Sequence, residues 1–504
     1  MKRWVLLLAL LLVACGAPVP APAQDVVSLG AGRLRGTVAA DHRLFQGIPY
    51  AAPPIGPLRW RPPQPVAAWT GVRDATAPGA RCPQPGAEGS EDCLFLNVTT
   101  PADTHERHPV LVWVHGGAFL GGSGDTYDAR ELAARGDLVV VTLNYRLGAL
   151  GWLAHPALAH EGGAGNFGLL DQQAALRWVR DNIAAFGGDP ARVTVAGESA
   201  GAMSVCDHLV SPGSAGLFRA AIVQSGPCQA HATAAAAAQA STAYAANVGC
   251  ADPATAASCL RALPFAALLT APRYYDLAGV PVAGPVTGEA LLPANPVDAI
   301  ASGAAARVPV MVGVTRDEFT LFLAQQYAAT GKTVTAADYP PALAKVFGAG
   351  APAVAGEYPL AAYDSAPRAL AAALTDSAFA CVARDMASSL SRTAPVYAYE
   401  FDDPHAPAPD SLSRTPFPLG AAHSLELPYL FGDGRSLDDG QRQLSAEMIA
   451  DWAAFVRTGA PGPGWPRFDP AHEQVRTLAP GETQVSAGYA TAHHCDFWAA
   501  HRLR

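Results

Sequence analysis

The stretch Val193-Thr194-Val195-Ala196-Gly197-Glu198-Ser199-Ala200-Gly201 constrains this chain more than any other. A short apolar run of β type stops at a Gly-x-Ser-x-Gly pentapeptide, and a helical stretch begins near Ala202. Strand, tight turn and helix in that order present a Ser hydroxyl at the end of a sheet, with the glycines permitting a strained turn. The pentapeptide alone is weak evidence in a chain with 48 glycines. Its context makes Ser199 the candidate nucleophile.

Other short runs rich in Val have the same character: Val110 to Val114, Leu138 to Leu143, Ala220 to Val223, Val308 to Val314 and Val396 to Phe401. Most end in Gly, Ser, Asn or Asp, as buried strands do. Between them lie stretches of helical spacing. The clearest is Leu169 to Phe186, where Leu170, Ala174, Leu176, Trp178, Val179 and Ile183 largely share one stripe. Strands alternating with helices predict an α/β fold with a mostly parallel central sheet covered by helices. The Ala-rich regions Ala230 to Ala301 and Ala336 to Ala380 read as helical insertions.

Length, at 504 residues, admits one large domain or two. No low-complexity linker divides the chain after its leader, so residues 24–504 read as one elaborated domain. Half the residues are hydrophobic and 15% are charged, which suits a large core. A net charge of -9, with no basic cluster beyond the N-terminus, argues against a nucleic-acid partner.

Residues 1–23 have the form of a leader and tether. Met1-Lys2-Arg3 precedes an apolar run from Trp4 to Ala14 that is too short for a permanent membrane span. Leu12-Val13-Ala14-Cys15 resembles the lipobox of bacterial lipoproteins, which would lipidate Cys15 and leave Gly16 to Ala23 as a tether to an outer-membrane or periplasmic site. The alternative is ordinary cleavage after Ala21-Pro22-Ala23, giving a soluble secreted or periplasmic protein; both imply export. Beyond Cys15 eight cysteines remain, and disulfides are the default in an oxidising compartment. Without a Cys-x-x-Cys pair or a His-x-x-x-His cluster, a metal site is poorly supported.

Directly after the run Val110 to Val114 comes His115-Gly116-Gly117-Ala118-Phe119. Consecutive glycines let backbone N–H groups approach a developing oxyanion, so Gly116 and Gly117, with the amide of Ala200, form the candidate oxyanion hole. A Ser hydroxyl needs a base and an orienting acid, which in this fold class follow in the order Ser, acid, His. His423 follows a Gly-containing loop late in the chain, and Asp317-Glu318 follow the run Val308 to Val314. On these grounds the two acids tie.

These residues resemble the type B carboxylesterase family, which includes cholinesterases and bacterial para-nitrobenzyl esterases. The likeness runs through Phe45 to Ala51 with Leu58-Arg59, Ser90 to Leu94, Asn144 to Gly148, Gly165-Asn166 with Leu170-Asp171-Gln172, and Phe186 to Pro190. It continues with Gln224-Ser225-Gly226, Gly313 to Glu318, the His423 segment and Trp452 to Gly459. The resemblance implies an α/β-hydrolase fold and a Ser199, Glu318, His423 triad, with Glu198, Ser225 and Glu426 in a buried polar network beside it. It implies ion pairs of Arg59 with Glu91 and Arg146 with Asp171, and disulfides Cys82–Cys93, Cys250–Cys259 and Cys381–Cys495. Cys206 and Cys228 are left over and are expected to pair with each other.

The resemblance further implies a serine carboxylesterase working through an acyl-enzyme on small-molecule esters, without a cofactor. Amidase or thioesterase activity uses the same chemistry, and the family also contains binding modules that have lost the nucleophile. The loop that carries a choline-stacking Trp in cholinesterases is here Cys82 to Cys93, short and without an aromatic residue, so choline esters are poor candidates. The motifs do not locate the pocket residues and leave acyl and alcohol groups unspecified.

Overall fold

In the computed structural model, residues 25–86, 89–103, 106–162, 164–277, 280–481 and 483–501 are described. Cys15 and the leader lie outside them. The centre is an eleven-stranded sheet. Its strands in chain order are β1 (Thr37–Val38), β2 (His42–Pro49), β3 (Phe95–Pro101), β4 (His108–Val114), β5 (Val139–Leu143) and β6 (Gly188–Glu198). They continue as β7 (Ala220–Gln224), β8 (Val310–Thr315), β9 (Val396–Phe401), β10 (Val475–Leu478) and β11 (Gln484–Ser486). The spatial order is β11-β10-β9-β8-β7-β6-β4-β5-β3-β2-β1. From β5 through β10 all neighbours pair parallel, and the pairings beyond both ends are antiparallel.

Both faces of the parallel strands are covered, which is why they read as unbroken apolar runs. Val110, Val112, Val114, Val139, Val141, Val193, Val195, Ala221 and Val223 pack into one core. Their alternates Leu111, Trp113, Val140, Ala196, Ala220 and Ile222 pack into a second core on the opposite face, as the two-residue period of a strand requires. Helices α1 (Phe167–Asn182) and α2 (Ala200–Val210) cover the first face, with Leu169, Leu176, Val179, Met203 and Val205 in its core. Helix α5 (Asp439–Thr458) covers the second through Leu444, Met448, Trp452 and Val456. Two further helices are α3 (Glu318–Thr330), which carries Glu318, Phe319 and Phe322, and α4 (Cys381–Leu390), which follows the π-helical turn Asp376–Ala380 that holds Phe379.

The order of strands reverses between β4 and β6. From β4 the chain moves to β5 on one side; from β6 it moves to β7 on the other. A crevice therefore opens beyond the carboxyl ends of β4 and β6, where open α/β sheets bind ligands.

Several expectations are refined. The helix after the pentapeptide starts at Ala200, not near Ala202. The helix expected to reach Phe186 ends at Asn182 and tightens into a 3₁₀ turn over Ile183–Phe186. The region from Ala230 to Ala301 holds helices at Ala234–Asn247 and Ala256–Ala262 but also short strands such as Tyr275–Leu277 and Val286–Thr287, so it is not a purely helical insertion. Strand β3 was not legible because polar residues interrupt its apolar run; Asn97, Thr99 and Thr100 are buried, and Asn97 donates to Thr142 Oγ1 at 3.1 Å.

Disulfides join Cys82–Cys93, Cys206–Cys228, Cys250–Cys259 and Cys381–Cys495. Four bridges suit an oxidising, extracytoplasmic setting. Among the described residues no helix is long and apolar enough to cross a membrane.

Candidate active site

Residues at the carboxyl ends of five adjacent strands, β4, β6, β7, β8 and β9, converge on the crevice. Ser199 stands between β6 and α2 at φ 57°, ψ -122°, a left-handed conformation costly for a residue with a Cβ. Its N–H donates to the carbonyl of Gln224 at 2.9 Å, which ties the turn to β7. The flanking glycines serve a different need from the one expected of them. Neither Gly197 nor Gly201 has a positive φ. A Cβ on Gly201 would stand 2.0 Å from the Val114 carbonyl oxygen, and one on Gly197 would stand 2.5 Å from the Gly201 carbonyl carbon. The strain sits on Ser199, while the glycines allow β6, α2 and the end of β4 to close together.

The loop after β4 lies against this turn. A Cβ on Gly116 would meet Glu198 Oε2 at 2.7 Å and the Ser199 Cβ at 3.1 Å, so only Gly fits. Gly117 takes φ 110° and starts a tight turn in which Leu120 and Gly121 N–H groups donate to its carbonyl. His115 holds the loop from behind. Its Nδ1 hydrogen-bonds the Gly116 carbonyl at 2.8 Å, its ring stacks on Tyr145 at 4.4 Å, and Tyr145 Oη donates to its carbonyl at 2.8 Å. Burial pushes the His115 pKa down to about 4, so the ring is neutral.

The structure separates the two tied acids. Glu318 is fully buried, accepts the Thr315 N–H through Oε1 at 2.8 Å and bonds His423 Nδ1 through Oε2. Asp317 turns away, pairing with Arg368 at 2.9 Å and accepting from the Ala421 N–H at 3.1 Å. On its other side, His423 Nε2 is 3.1 Å from Glu198 Oε1. No hydrogen bond among the described residues joins His423 to the Ser199 hydroxyl. Phe322 and Phe379 pack on the imidazole at 5.1 and 5.4 Å between centroids.

Glu198, Ser225 and Glu426 are all buried here, but their links run through residues that sequence reasoning passed over. Ser424 Oγ donates to Glu198 Oε1 at 2.5 Å. Gln224 donates to Glu426 Oε1 at 3.1 Å and accepts from the Trp452 indole at 2.9 Å, fastening α5 beneath the site. The Ser225 hydroxyl and Glu426 Oε2 have no protein partner among the described residues. Gln224 and Trp452 stand inside quoted motifs, which was the available signal. Phe322 and Phe379 had none, because nothing local marks a side chain as facing His423.

Burial opposes charge on Glu198, Glu426 and His423. It raises the pKa of Glu198, and with the neighbouring carboxylates it pushes Glu426 up to about 8, so Glu426 holds its proton at neutral pH. For His423 burial alone would favour the neutral ring. The charges of Glu198 and Glu318 and the bond from Glu318 outweigh it, raising His423 to about 9.

Ser199 opens on a small cleft lined by Ala118, Ala200, Met203, Pro227, Tyr275, Val282, Phe319, Phe322 and Phe379. Apart from Ser199 and Tyr275 its lining side chains are apolar. Among the described residues no group of three His, Cys, Asp or Glu side chains is placed to hold a metal ion.

A parallel sheet with this switch point, a strained Ser at the end of its central strand and a buried His–Glu pair beside it define a serine hydrolase of the α/β-hydrolase class. Residues 23–498 match the Carboxylesterase family, and the chain belongs to it. The chain is 37% identical over 486 residues to a para-nitrobenzyl esterase of Bacillus subtilis (strain 168), covering 90% of this chain and 94% of that one. It is 36% identical to a human cocaine esterase, over 90% of this chain and 86% of the other, and 38% identical to a fumonisin B1 esterase of Sphingopyxis macrogoltabida, over 91% and 88%. A solved para-nitrobenzyl esterase structure superposes with a TM-score of 0.80 at 36% identity, over 92% of this chain and 97% of that one. The protein is accordingly an enzyme that hydrolyses carboxylic esters.

Proposed function

We propose that Ser199 is the nucleophile, His423 the general base and acid, and Glu318 the group that orients His423. Ser199 Oγ attacks the ester carbonyl carbon as its proton passes to His423 Nε2. The N–H groups of Gly116, Gly117 and Ala200 hold the resulting oxyanion. As the tetrahedral centre collapses, the alcohol leaves with the proton from His423. Water, activated by the same imidazole, then releases the acid and regenerates Ser199. The observation that carries this reading is the strained Ser199 at the floor of the cleft, packed against Gly116, with His423 anchored on Glu318 beside it. A fluorophosphonate probe is the direct test. It should label Ser199 covalently; labelling elsewhere with Ser199 untouched would overturn the assignment.

In the resting arrangement His423 Nε2 faces Glu198, so the base must exchange that contact for the adjacent Ser199 hydroxyl. The raised His423 pKa gives this a pH signature. The neutral ring is the active base, so kcat/KM for 4-nitrophenyl butyrate should fall as pH drops below about 9. Glu198→Gln removes a charge that stabilises the imidazolium, and the acid limb should move to lower pH. A limb that stays in place would show that Glu198 does not set the charge of His423.

Residues 24–504 act as a single catalytic unit in this reading, supported by a sheet whose strands run from Thr37 to Ser486. We further propose that the enzyme is exported and anchored through a lipidated Cys15. The mass of the mature N-terminal peptide tests this, since an acylated peptide starting at Cys15 is expected and an unmodified one starting at Gln24 would exclude the anchor.

A further inference from the structure

The Gly117 N–H can serve an oxyanion only while the peptide that carries it keeps one orientation. A trans peptide points its C=O and N–H in opposite directions, so whatever grips the Gly116 carbonyl aims the Gly117 N–H. His115 Nδ1 holds that carbonyl at 2.8 Å. The second support is Gly122, whose backbone lies directly behind it. A Cβ on Gly122 would stand 2.5 Å from the Gly116 carbonyl oxygen and 2.4 Å from His115 Nδ1, and its φ of 105° also requires glycine. Gly121 completes the backing, since a Cβ on Gly117 would stand 2.3 Å from the Gly121 carbonyl oxygen. Two glycines have no side chains with which to anchor themselves.

Gln84 supplies the anchor from a distant part of the chain. Its Oε1 accepts the Gly122 N–H at 2.9 Å and its Nε2 donates to the Gly122 carbonyl at 3.1 Å, so one amide grips both polar groups of one residue. The other Nε2 hydrogen goes to the Cys82 carbonyl at 3.1 Å. Cys82 is in turn fixed by its bridge to Cys93, and the Arg81 carbonyl accepts the Ser90 N–H at 2.9 Å. The two segments meet again where Asn144 donates to the Ala80 carbonyl at 3.2 Å and accepts the Gly124 N–H at 2.8 Å. Arg81 pairs with Asp125 at 2.8 Å, but the arginine is open to solvent and such pairs contribute little. Gln84 is thus the side chain that fixes Gly122.

We propose that Gln84 is a positioning residue for ester hydrolysis, holding Gly122 behind the Gly116 carbonyl and thereby keeping the Gly117 N–H aimed at the oxyanion. This rests on the assignment of Gly116, Gly117 and Ala200 as the oxyanion hole and adds what keeps that hole in shape. Gln84 is not among the residues lining the cleft. Its effect therefore falls on the transition state, where the oxygen carries charge, and not on the binding of the uncharged ester. Loss of one oxyanion donor lowers kcat on the order of 10²–10³-fold, and a donor that is displaced but still present loses less.

Gln84→Met keeps the side-chain length and removes both hydrogen-bonding ends. In the folded variant kcat for 4-nitrophenyl butyrate should fall about 10- to 100-fold while KM stays within about threefold. 1,1,1-Trifluoro-2-octanone reads the hole directly. Ser199 Oγ adds to its carbonyl carbon, the Ser199 proton passes to His423, and the C=O π pair becomes the oxyanion. Its affinity should fall by about the same factor as kcat/KM, whereas that of 2-octanone should not change. Gln84→Glu is the second variant. It retains the acceptor but sets a carboxylate oxygen against the Gly122 carbonyl, and should show the same pattern. Folded variants that keep kcat and trifluoro-octanone affinity within about twofold of wild type would overturn the proposal, as would an equal loss of affinity for 2-octanone. Failure of the oxyanion assignment looks different: wild-type enzyme would then bind trifluoro-octanone no more tightly than 2-octanone, and the role of Gln84 would fall with it.

Discussion

Ser199→Ala is expected to lower kcat for 4-nitrophenyl butyrate on the order of 10⁵-fold while leaving the protein folded. Loss of the nucleophile in a triad typically removes nearly all of the triad's contribution, leaving what binding and the oxyanion hole supply. The structure explains why stability should be spared. Ala retains the Cβ, so the strain at φ 57° and the Gly116 contact persist. The Ser199 N–H bond to Gln224 also persists, because it is a backbone bond. Turnover measured beside thermal unfolding checks both halves. Undiminished kcat in a folded Ser199→Ala protein would remove Ser199 from the mechanism.

Asp171→Asn is expected to destabilise the protein by about 3–5 kcal/mol, the usual effect of leaving a buried charge without its partner. Asp171 on α1 receives both Nε and Nη2 of Arg146 at 2.7 Å, and the Arg146 backbone N–H at 3.1 Å. Both side chains are nearly or wholly closed to solvent. Burial raises the Asp171 pKa despite Arg146, which indicates a pair that is expensive to bury and more expensive to break. The damage should reach the active site. Arg146 follows Tyr145, whose hydroxyl holds the His115 carbonyl just before Gly116 and Gly117. Urea unfolding of Asp171→Asn measures the loss, and a double variant with apolar residues at 146 and 171 should recover part of it. A midpoint equal to wild type in Asp171→Asn would show that the pair does not hold this corner together.

The parallel strands were legible because burial on both faces leaves an uninterrupted apolar run. Val396–Phe401 keeps the predicted ends and Val139–Leu143 lies within one residue of them. Where a strand carries polar pairs, as at Asn97 and Thr142, that signal disappears. Ser199 was legible for a local reason, since strand, turn and helix are contiguous in the chain. The apolar cleft wall was not, because Met203, Tyr275, Phe322 and Phe379 come from separate segments and none stands in a catalytic motif.

The sequence by itself determined the α/β architecture, the elbow at Ser199 and the glycine loop at Gly116-Gly117, all set by patterns within a few residues. Family likeness supplied Glu318 and His423, and it supplied three of the four disulfide pairings. Tertiary structure alone decided that Asp317 turns away to pair with Arg368, that Glu198 shares the imidazole, and that Phe322 and Phe379 pack on it. His423 and Glu318 are 105 residues apart, and their charges depend on what surrounds them once water is excluded. That surrounding is made by five strand ends meeting at one edge of the sheet, a relation the chain acquires only when the whole sheet has closed.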